Sequence, residues 1–324
     1  MIKEPLVSIV IPARDINDYL RQAVLKILEL DYGNFEILVL PDEETTASFE
    51  KTKIIPTGRI SPAEKRDLAL KFIHGEIIAF LDDDAYPARN WLKNSVSYFE
   101  NPKIAAVCGP GITPKEDSLM QKAGGWVSAS CLGGGPVCFR FLPMPKKEVS
   151  DFPSMNLIVR KTDFEAVNGF DSKFWPGEDT KLCLDLTKKP GKKIIYDPEV
   201  LVYHHRRSLF LPHLRQIGAY GLRRGYFARI LPETSRKLYY FIPSAFALFL
   251  SLSFVFWFLA PASHFLIMAI VSVYLLLLLL TSVWVYAKEP NLKTSLLIIP
   301  GIFLTHIWYG LRFLQGFFSK ELKR

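Results

Sequence analysis

Three adjacent carboxylates, Asp82, Asp83 and Asp84, close the apolar run Ile77-Ile78-Ala79-Phe80-Leu81 and lead into Ala85-Tyr86-Pro87. Five apolar residues in succession read as a strand buried on both faces. Like charges at its end repel one another, and a cation between them relieves the repulsion. Hard divalent ions such as Mg²⁺ or Mn²⁺ take carboxylate oxygens and share their remaining positions with phosphates. Open α/β sheets bind ligands just beyond the carboxyl ends of their strands. One reading of the stretch is therefore a metal–diphosphate site at a strand tip. The other is a solvated acidic turn capping a helix that starts near Pro87.

Two more turns share this placement. Arg14-Asp15 follow the apolar stretch 6–11 and Pro12, and Pro41-Asp42-Glu43-Glu44 follow the stretch 35–40. In a parallel sheet these ends lie on one edge with the aspartates, where a single nucleotide could touch all of them. Neither G-x-G-x-x-G after the first strand nor G-x-x-x-x-G-K-[ST] occurs, which argues against a dinucleotide oxidoreductase and a P-loop nucleotidase. Without a glycine cradle, a metal and basic side chains must hold the phosphates.

Further along, Glu178-Asp179 open a helical stretch that runs through Lys188 to a stop at Pro190-Gly191. Acids at a helix start are favourable in their own right, by about 0.3–1 kcal/mol each. His204 and His205 stand beside Arg206 and Arg207. Neutral imidazole can ligate a divalent ion, and the arginines can pair with phosphate oxygens or face anionic lipid. Residues 111–152 carry Gly124-Gly125-Trp126, Gly133-Gly134-Gly135, Phe139 and Phe141. Glycine-rich, aromatic-bearing loops suit an acceptor-binding lid, and ordinary loop packing accounts for them as well.

These groups need elements to hold them. Residues 6–11 and 35–40 read as buried strands, and between them Tyr19, Leu20, Ala23, Val24, Ile27 and Leu28 recur at helical spacing. Ser61-Pro62-Ala63-Glu64 has the form of a helix cap with proline at the first helical position. That helix runs through Lys65, Arg66 and Asp67 to Phe72, and Gly75 ends it before the aspartate-bearing strand. Alternation of strand and helix predicts a doubly wound α/β sheet.

Taken in order, the opening strand and turn, the acidic turn at Asp42, the Lys65-Arg66-Asp67 helix and the segment from Phe80 to Pro87 resemble family 2 glycosyltransferases with the GT-A fold. Pro153-Ser154-Met155-Asn156-Leu157-Ile158-Val159-Arg160 looks like the family's Asn-bearing strand. Gly169-Phe170-Asp171 and Gly177-Glu178-Asp179 resemble its G-F-D and E-D segments, and Asp197 to His204 its closing strand and histidine. The resemblance covers about residues 5–208. It implies a Rossmann-like, mostly parallel sheet with flanking helices. It further implies that Asp42 and Asp82 meet the base and ribose of a nucleotide sugar, in a nucleotide site with Pro12, Arg14, Arg66 and Asp83. Asp84 and His204 would bind Mn²⁺ or Mg²⁺, Asp179 would act as general base and Glu178 would orient the acceptor. Arg206, Arg207, Trp126 and Asn156 complete the expected phosphate and acceptor contacts. Many members carry two acids at the second-strand turn, where this chain has Pro41 before Asp42.

The remaining chain differs in kind. Over 324 residues the composition is 49% hydrophobic with a mean hydropathy of +0.16, and the excess is concentrated after about residue 240. A net charge of +8 suits a nucleotide diphosphate or an anionic membrane surface, and no nucleic-acid motif accompanies it. Cys108, Cys131, Cys138 and Cys183 lack metal-type spacing and read as free thiols of a reducing compartment. No leader is visible, since Met1 to Pro5 run straight into a strand. Arg206, Arg207, Arg215, Arg223, Arg224, Arg229, Arg236 and Lys237 interleave with Ile217, Tyr220, Tyr226, Phe227 and Ile230, a pattern for basic amphipathic helices on a membrane surface. Residues 241–260 and 265–286 are each long enough to span. The segment 296–318 is interrupted at Pro300-Gly301 and followed by Lys320, Lys323 and Arg324, so a broken third segment is expected. The turn Pro261-Ala262-Ser263-His264 has no Lys or Arg, whereas Arg236, Lys237, Lys288 and Lys293 flank the other ends. That bias puts the catalytic part in the cytoplasm.

The expected organisation is a GT-A domain at 1–208, basic interface helices at 209–240 and a membrane domain at 241–324. The expected activity is inverting transfer from a UDP-linked sugar to a polyprenyl-linked acceptor, with membrane lipids as partners and no nucleic acid. A processive polysaccharide synthase is the alternative enzyme, although Gln216-Ile217-Gly218-Ala219-Tyr220 lacks the Arg and Trp of a Q-x-x-R-W helix. A catalytically silent scaffold or nucleotide-sugar sensor is the alternative of another class.

Overall fold

The computed structural model describes residues 4–188 and 191–322. Met1 to Lys3, the expected helix stop at Pro190, and Lys323 and Arg324 lie outside the described residues. Two compact units emerge: one runs to Ile112 and resumes over Leu142–His205, and the other comprises Thr113–Phe141 and the chain from Arg206 onward. Thr113–Phe141, inside the expected 1–208 domain, thus packs with the second unit.

The strands are β1 (Val7–Pro12), β2 (Phe35–Leu40), β3 (Thr52–Ile54), β4 (Ile77–Leu81), β5 (Ala85–Pro87), β6 (Ile104–Cys108), β7 (Gly111–Ile112), β8 (Lys147–Val149), β9 (Asn156–Arg160), β10 (Lys193–Tyr196) and β11 (Val202–His204). The helices are α1 (Asp18–Leu28), α2 (Pro62–Ala69), α3 (Trp91–Val96), α4 (Leu119–Ala129), α5 (Cys131–Gly134), α6 (Lys161–Ala166), α7 (Glu178–Lys188), α8 (Leu211–Ile230), α9 (Pro232–Ser235), α10 (Leu238–Leu259), α11 (His264–Lys288) and α12 (Leu292–Phe318).

In the first unit the large sheet has the order β3-β2-β1-β4-β9-β6-β10-β8. β1 to β4 run parallel, and β9 enters antiparallel between β4 and β6. Every residue of β1, β4 and β6 is buried, as unbroken apolar runs require when helices cover both faces. Ser61 and Glu64 form the reciprocal cap expected for α2, with Pro62 in its first turn.

A small second sheet, β5-β11-β7, corrects one expectation. Pro87 starts no helix: Ala85–Pro87 form edge strand β5 against β11, and the helix begins at Trp91. Proline fits an edge because it has no ladder N–H to donate.

In the second unit Ala123, Val127, Leu209, Leu278, Val285, Ile298 and Ile302 share a buried core. The glycine-rich stretch read as loop is largely helical: α4 contains Gly124, Gly125 and Trp126. Both glycines stand where a side chain has no room, since a Cβ at Gly125 would lie 2.1 Å from Thr113 Oγ1 and one at Gly124 2.6 Å from Arg207 O. The buried face of α8 is likewise built largely from small residues, Gly218, Gly221 and Gly225 with Ala228. At Gly225 a Cβ would meet Phe313 O at 1.9 Å, and at Gly316 of α12 it would meet Leu222 O at 1.9 Å. Small residues let helix backbones approach closely.

α10, the segment Pro261–Lys288 and α12 are each long and apolar enough to cross a membrane. The third is not broken, contrary to expectation. α12 is one helix of 27 residues with Pro300 inside it, because proline removes a single N–H and neighbouring elements support the turn around it.

Candidate nucleotide and metal site

β4 delivers Asp82 and Asp84 to the carboxyl edge of the large sheet, and β11 brings His204 opposite Ala85 in the small one. Ligand atoms of Asp82, Asp84 and His204 lie within 4.8 Å of one another, with His204 Nε2 3.0 Å from Asp84 Oδ1. Two carboxylates and an imidazole are a fitting donor set for Mn²⁺ or Mg²⁺. Asp83 sits between them, half-buried. The neighbouring His205 turns away from the group. Its backbone N–H donates to Asp84 O at 2.9 Å, its ring stacks on Tyr19 at 4.3 Å, and its Nε2 lies 3.0 Å from Gln22 Oε1.

α2 supplies the cations beneath this edge. Arg66, 4% exposed, reaches Asp82 Oδ1 with Nη2 at 2.9 Å and Glu178 Oε1 with Nη1 at 3.2 Å. Its guanidinium also lies 5.5 Å from the Phe170 ring. Such burial requires anionic partners, and the two acids provide them. Glu178 is therefore a buried counter-ion: its other oxygen accepts from Gly177 N–H at 2.8 Å. Asp179, the next residue of α7, is half-buried and accepts from Thr180 N–H at 2.7 Å. Burial pushes the Asp67 carboxyl up to about 7, against the opposing pull of the Phe170 N–H and Arg66. Its Oδ1 accepts from Phe170 N–H at 2.8 Å.

Arg14, Pro41 and Asp42 line a cleft of about 410 Å³ together with Asp15, Glu43, Glu44 and Arg59. Pro12 lies buried at the end of β1, paired with Leu40. Lys65, marked by the sequence only as part of the Lys65-Arg66-Asp67 helix, is 3% exposed and contacts Asp42 Oδ1 at 2.5 Å. Apart from its place next to Arg66, nothing in its helical context marks it as buried.

Asn156, expected among the phosphate and acceptor contacts, is fully buried and braces the fold. Its amide donates to Gly109 O at 2.8 Å and Val200 O at 2.7 Å and accepts from Trp91 Nε1 at 2.8 Å. Trp126 belongs to the second unit, on a helix rather than a lid loop, and its Nε1 donates to Glu289 Oε2 at 2.5 Å. Arg206 and Arg207 also belong to that unit. Arg206 N–H donates to Asp117 Oδ2 at 3.3 Å and its guanidinium stands 4.7 Å from the Phe141 ring, while Arg207 is exposed.

Residues 8–164 match the family model described as glycosyl transferase family 2. The chain is 29% identical over 221 residues to the pre-mycofactocin glycosyltransferase of Mycobacterium tuberculosis H37Rv, covering 66% of this chain and 46% of that protein. It therefore spans less than half of that relative's length. It is 24% identical over 246 residues to the dolichyl N-acetyl-alpha-D-glucosaminyl phosphate 3-beta-D-2,3-diacetamido-2,3-dideoxy-beta-D-glucuronosyltransferase of Methanococcus voltae, covering 68% of this chain and 75% of that one. Among solved structures, the mannosyltransferase PcManGT of Pyrobaculum calidifontis, in complex with GDP-Man and Mn²⁺, superposes with a TM-score of 0.57. That match has 17% identity and covers 99% of this chain and 89% of the other, so it speaks to the fold alone. The protein carries a glycosyl transferase family 2 domain of GT-A fold, followed by three apolar helices long enough to cross a membrane.

Proposed function

We propose that this protein is a metal-dependent, inverting glycosyltransferase that moves a sugar from a nucleotide diphosphate donor, UDP-linked by preference, to a lipid-linked acceptor at the cytoplasmic membrane face. The observation that carries the reading is the Asp82–Asp84–His204 group at the tip of β4. These residues would hold Mn²⁺ or Mg²⁺, which when bound supplies positive charge to the departing diphosphate. Asp42 binds the nucleoside end of the donor from the β1–β2 cleft. Arg66 fixes the Asp82 carboxylate and screens it from Glu178. Asp179 takes the proton of the acceptor hydroxyl, the step an inverting displacement requires on the face opposite the leaving group.

A lipid-linked acceptor is supported by the apolar helices and by the dolichyl phosphate in the Methanococcus relative's name. Arg206 and Arg207, where the basic stretch begins, suit its phosphate. In functional terms residues 1–208 form the catalytic part, 209–240 the basic membrane-facing part and 241–324 the anchor. The flanking Arg236, Lys237, Lys288 and Lys293 favour the cytoplasmic orientation.

The test is a donor screen on the full chain in lipid nanodiscs, with Mn²⁺ or Mg²⁺ and nucleotide release as the signal. Release from one donor is expected, abolished in Asp84→Asn. Asp179→Asn should lose turnover while still binding the donor. No release or transfer from any nucleotide sugar would sink the proposal.

A further inference from the structure

Lys65 has no solvent to satisfy its charge. Its Nζ lies 2.6 Å from Ala13 O, 3.1 Å from Leu40 O and 2.5 Å from Asp42 Oδ1. An ammonium has three N–H donors, so each finds one acceptor. Two of these acceptors are backbone carbonyls at the ends of the adjacent parallel strands β1 and β2. The third is the carboxylate that lines the cleft.

We propose that Lys65 is a positioning residue for the nucleotide donor: it pins the Asp42 carboxylate at the meeting point of β1 and β2, with Oδ1 occupied and Oδ2 left for the ligand. The inference rests on the donor reading above and deepens it. Three features support it. First, a buried lysine is retained only where its charge is compensated, and Asp42 is its one anionic partner among the described residues. Second, Asp42 Oδ2 has no protein donor among the described residues, and an ionised carboxylate can only accept. Its free oxygen therefore suits an N–H or O–H of a nucleoside. Third, Asp15, Glu43 and Glu44 line the same cleft. An uncompensated Asp42 would add to their repulsion of an anionic diphosphate, and Lys65 cancels that addition from beneath.

The geometry also says how the position tolerates change. Methionine keeps the apolar stem but leaves three acceptors without a donor. Arginine keeps the charge, yet its planar fork spreads the nitrogens and cannot set one of them against three oxygens.

A double-mutant cycle on the full chain in nanodiscs tests this, with UDP and GDP as probes and Mn²⁺ present, read by calorimetry. Lys65→Met and Asp42→Asn should each raise the nucleotide Kd about tenfold, and Lys65→Met should add less than about twofold in the Asp42→Asn background. In turnover the donor KM should rise while kcat stays level. If Lys65→Met does not fold, Lys65→Arg replaces it in the same cycle with the same expectation. Losses that multiply would overturn the proposal, because Lys65 would not then act through Asp42. A lowered unfolding temperature with an unchanged Kd would overturn it too, leaving Lys65 a strand fastener only. If the unaltered protein binds neither nucleotide, the donor reading itself fails and this inference falls with it.

Discussion

Around Asp42 and Asp82 the first unit gathers charged side chains, whereas where α8 meets α12 the second places glycines. At the first place Lys65 and Arg66 are nearly sealed from solvent, Lys65 matched to Asp42 at the cleft and Arg66 to Asp82 and the buried Glu178. At the second, a Cβ at Gly225 or Gly316 would strike a backbone carbonyl at 1.9 Å. The difference reflects what each region must do. An anion-binding rim needs fixed charges whose desolvation is already compensated before the ligand arrives. Helices whose backbones meet need small residues at the contact instead.

The sharpest way to break this contrast is at the rim. Asp84→Asn should cut glycosyl transfer about a thousandfold, as expected when a charge that stabilises the transition state is lost. Its unfolding temperature should barely change, and a large thermal loss would show that the charges hold the fold rather than the ligand. Next in size is Gly225→Ala, expected to destabilise the protein by about 3 kcal/mol through overpacking. Thermal unfolding of the purified full chain measures it, and an unchanged midpoint would mean α8 can shift away from α12.

A subtler effect concerns Asp67. Its carboxyl keeps its proton up to about pH 7 in the folded chain, against an ordinary value of 3.8. Between those values the folded state binds a proton that the unfolded state has released, so stability should fall as pH rises through that window. Asn at this position retains an acceptor for the Phe170 N–H, and Asp67→Asn should flatten the profile. Parallel pH profiles for both proteins would refute the assignment. The smallest change is expected from a charge in the second unit. Glu289 pairs with Lys122 at 3.3 Å and accepts from Trp126 at the edge of α4, so Glu289→Ala should cost about 1 kcal/mol. If it cost more than Gly225→Ala in the same thermal assay, the contrast between the units would fail.

The parts legible in the sequence are those with a strong local pattern. β1, α1, β2, α2 and β4 each announce themselves by apolar period or cap, and the polar turns after β1, β2 and β4 fix the site's edge. What escaped has a physical reason. β5 and β7 are strands of three and two residues, too short for any period, whereas β11, no longer, is reached only through the resemblance that also sets His204 beside Asp84. Gly124 and Gly125 signalled a hinge, but here glycine marks contact too close for a side chain. The burial of Glu178 against Arg66 comes from a partner 112 positions away in the chain, which no local pattern marks.

Asn156 has a wider consequence. The candidate ion site straddles a seam, with Asp82 issuing from the large sheet and His204 from the small one. Asn156 lies opposite Leu81 at the end of β4, and the carbonyls it holds precede β7 and β11. One carboxamide thus ties the end of β4, from which Asp82 issues, to the segments that lead into β7 and β11. A substitution there would shift the Asp82 and His204 backbones relative to one another while leaving both side chains unaltered.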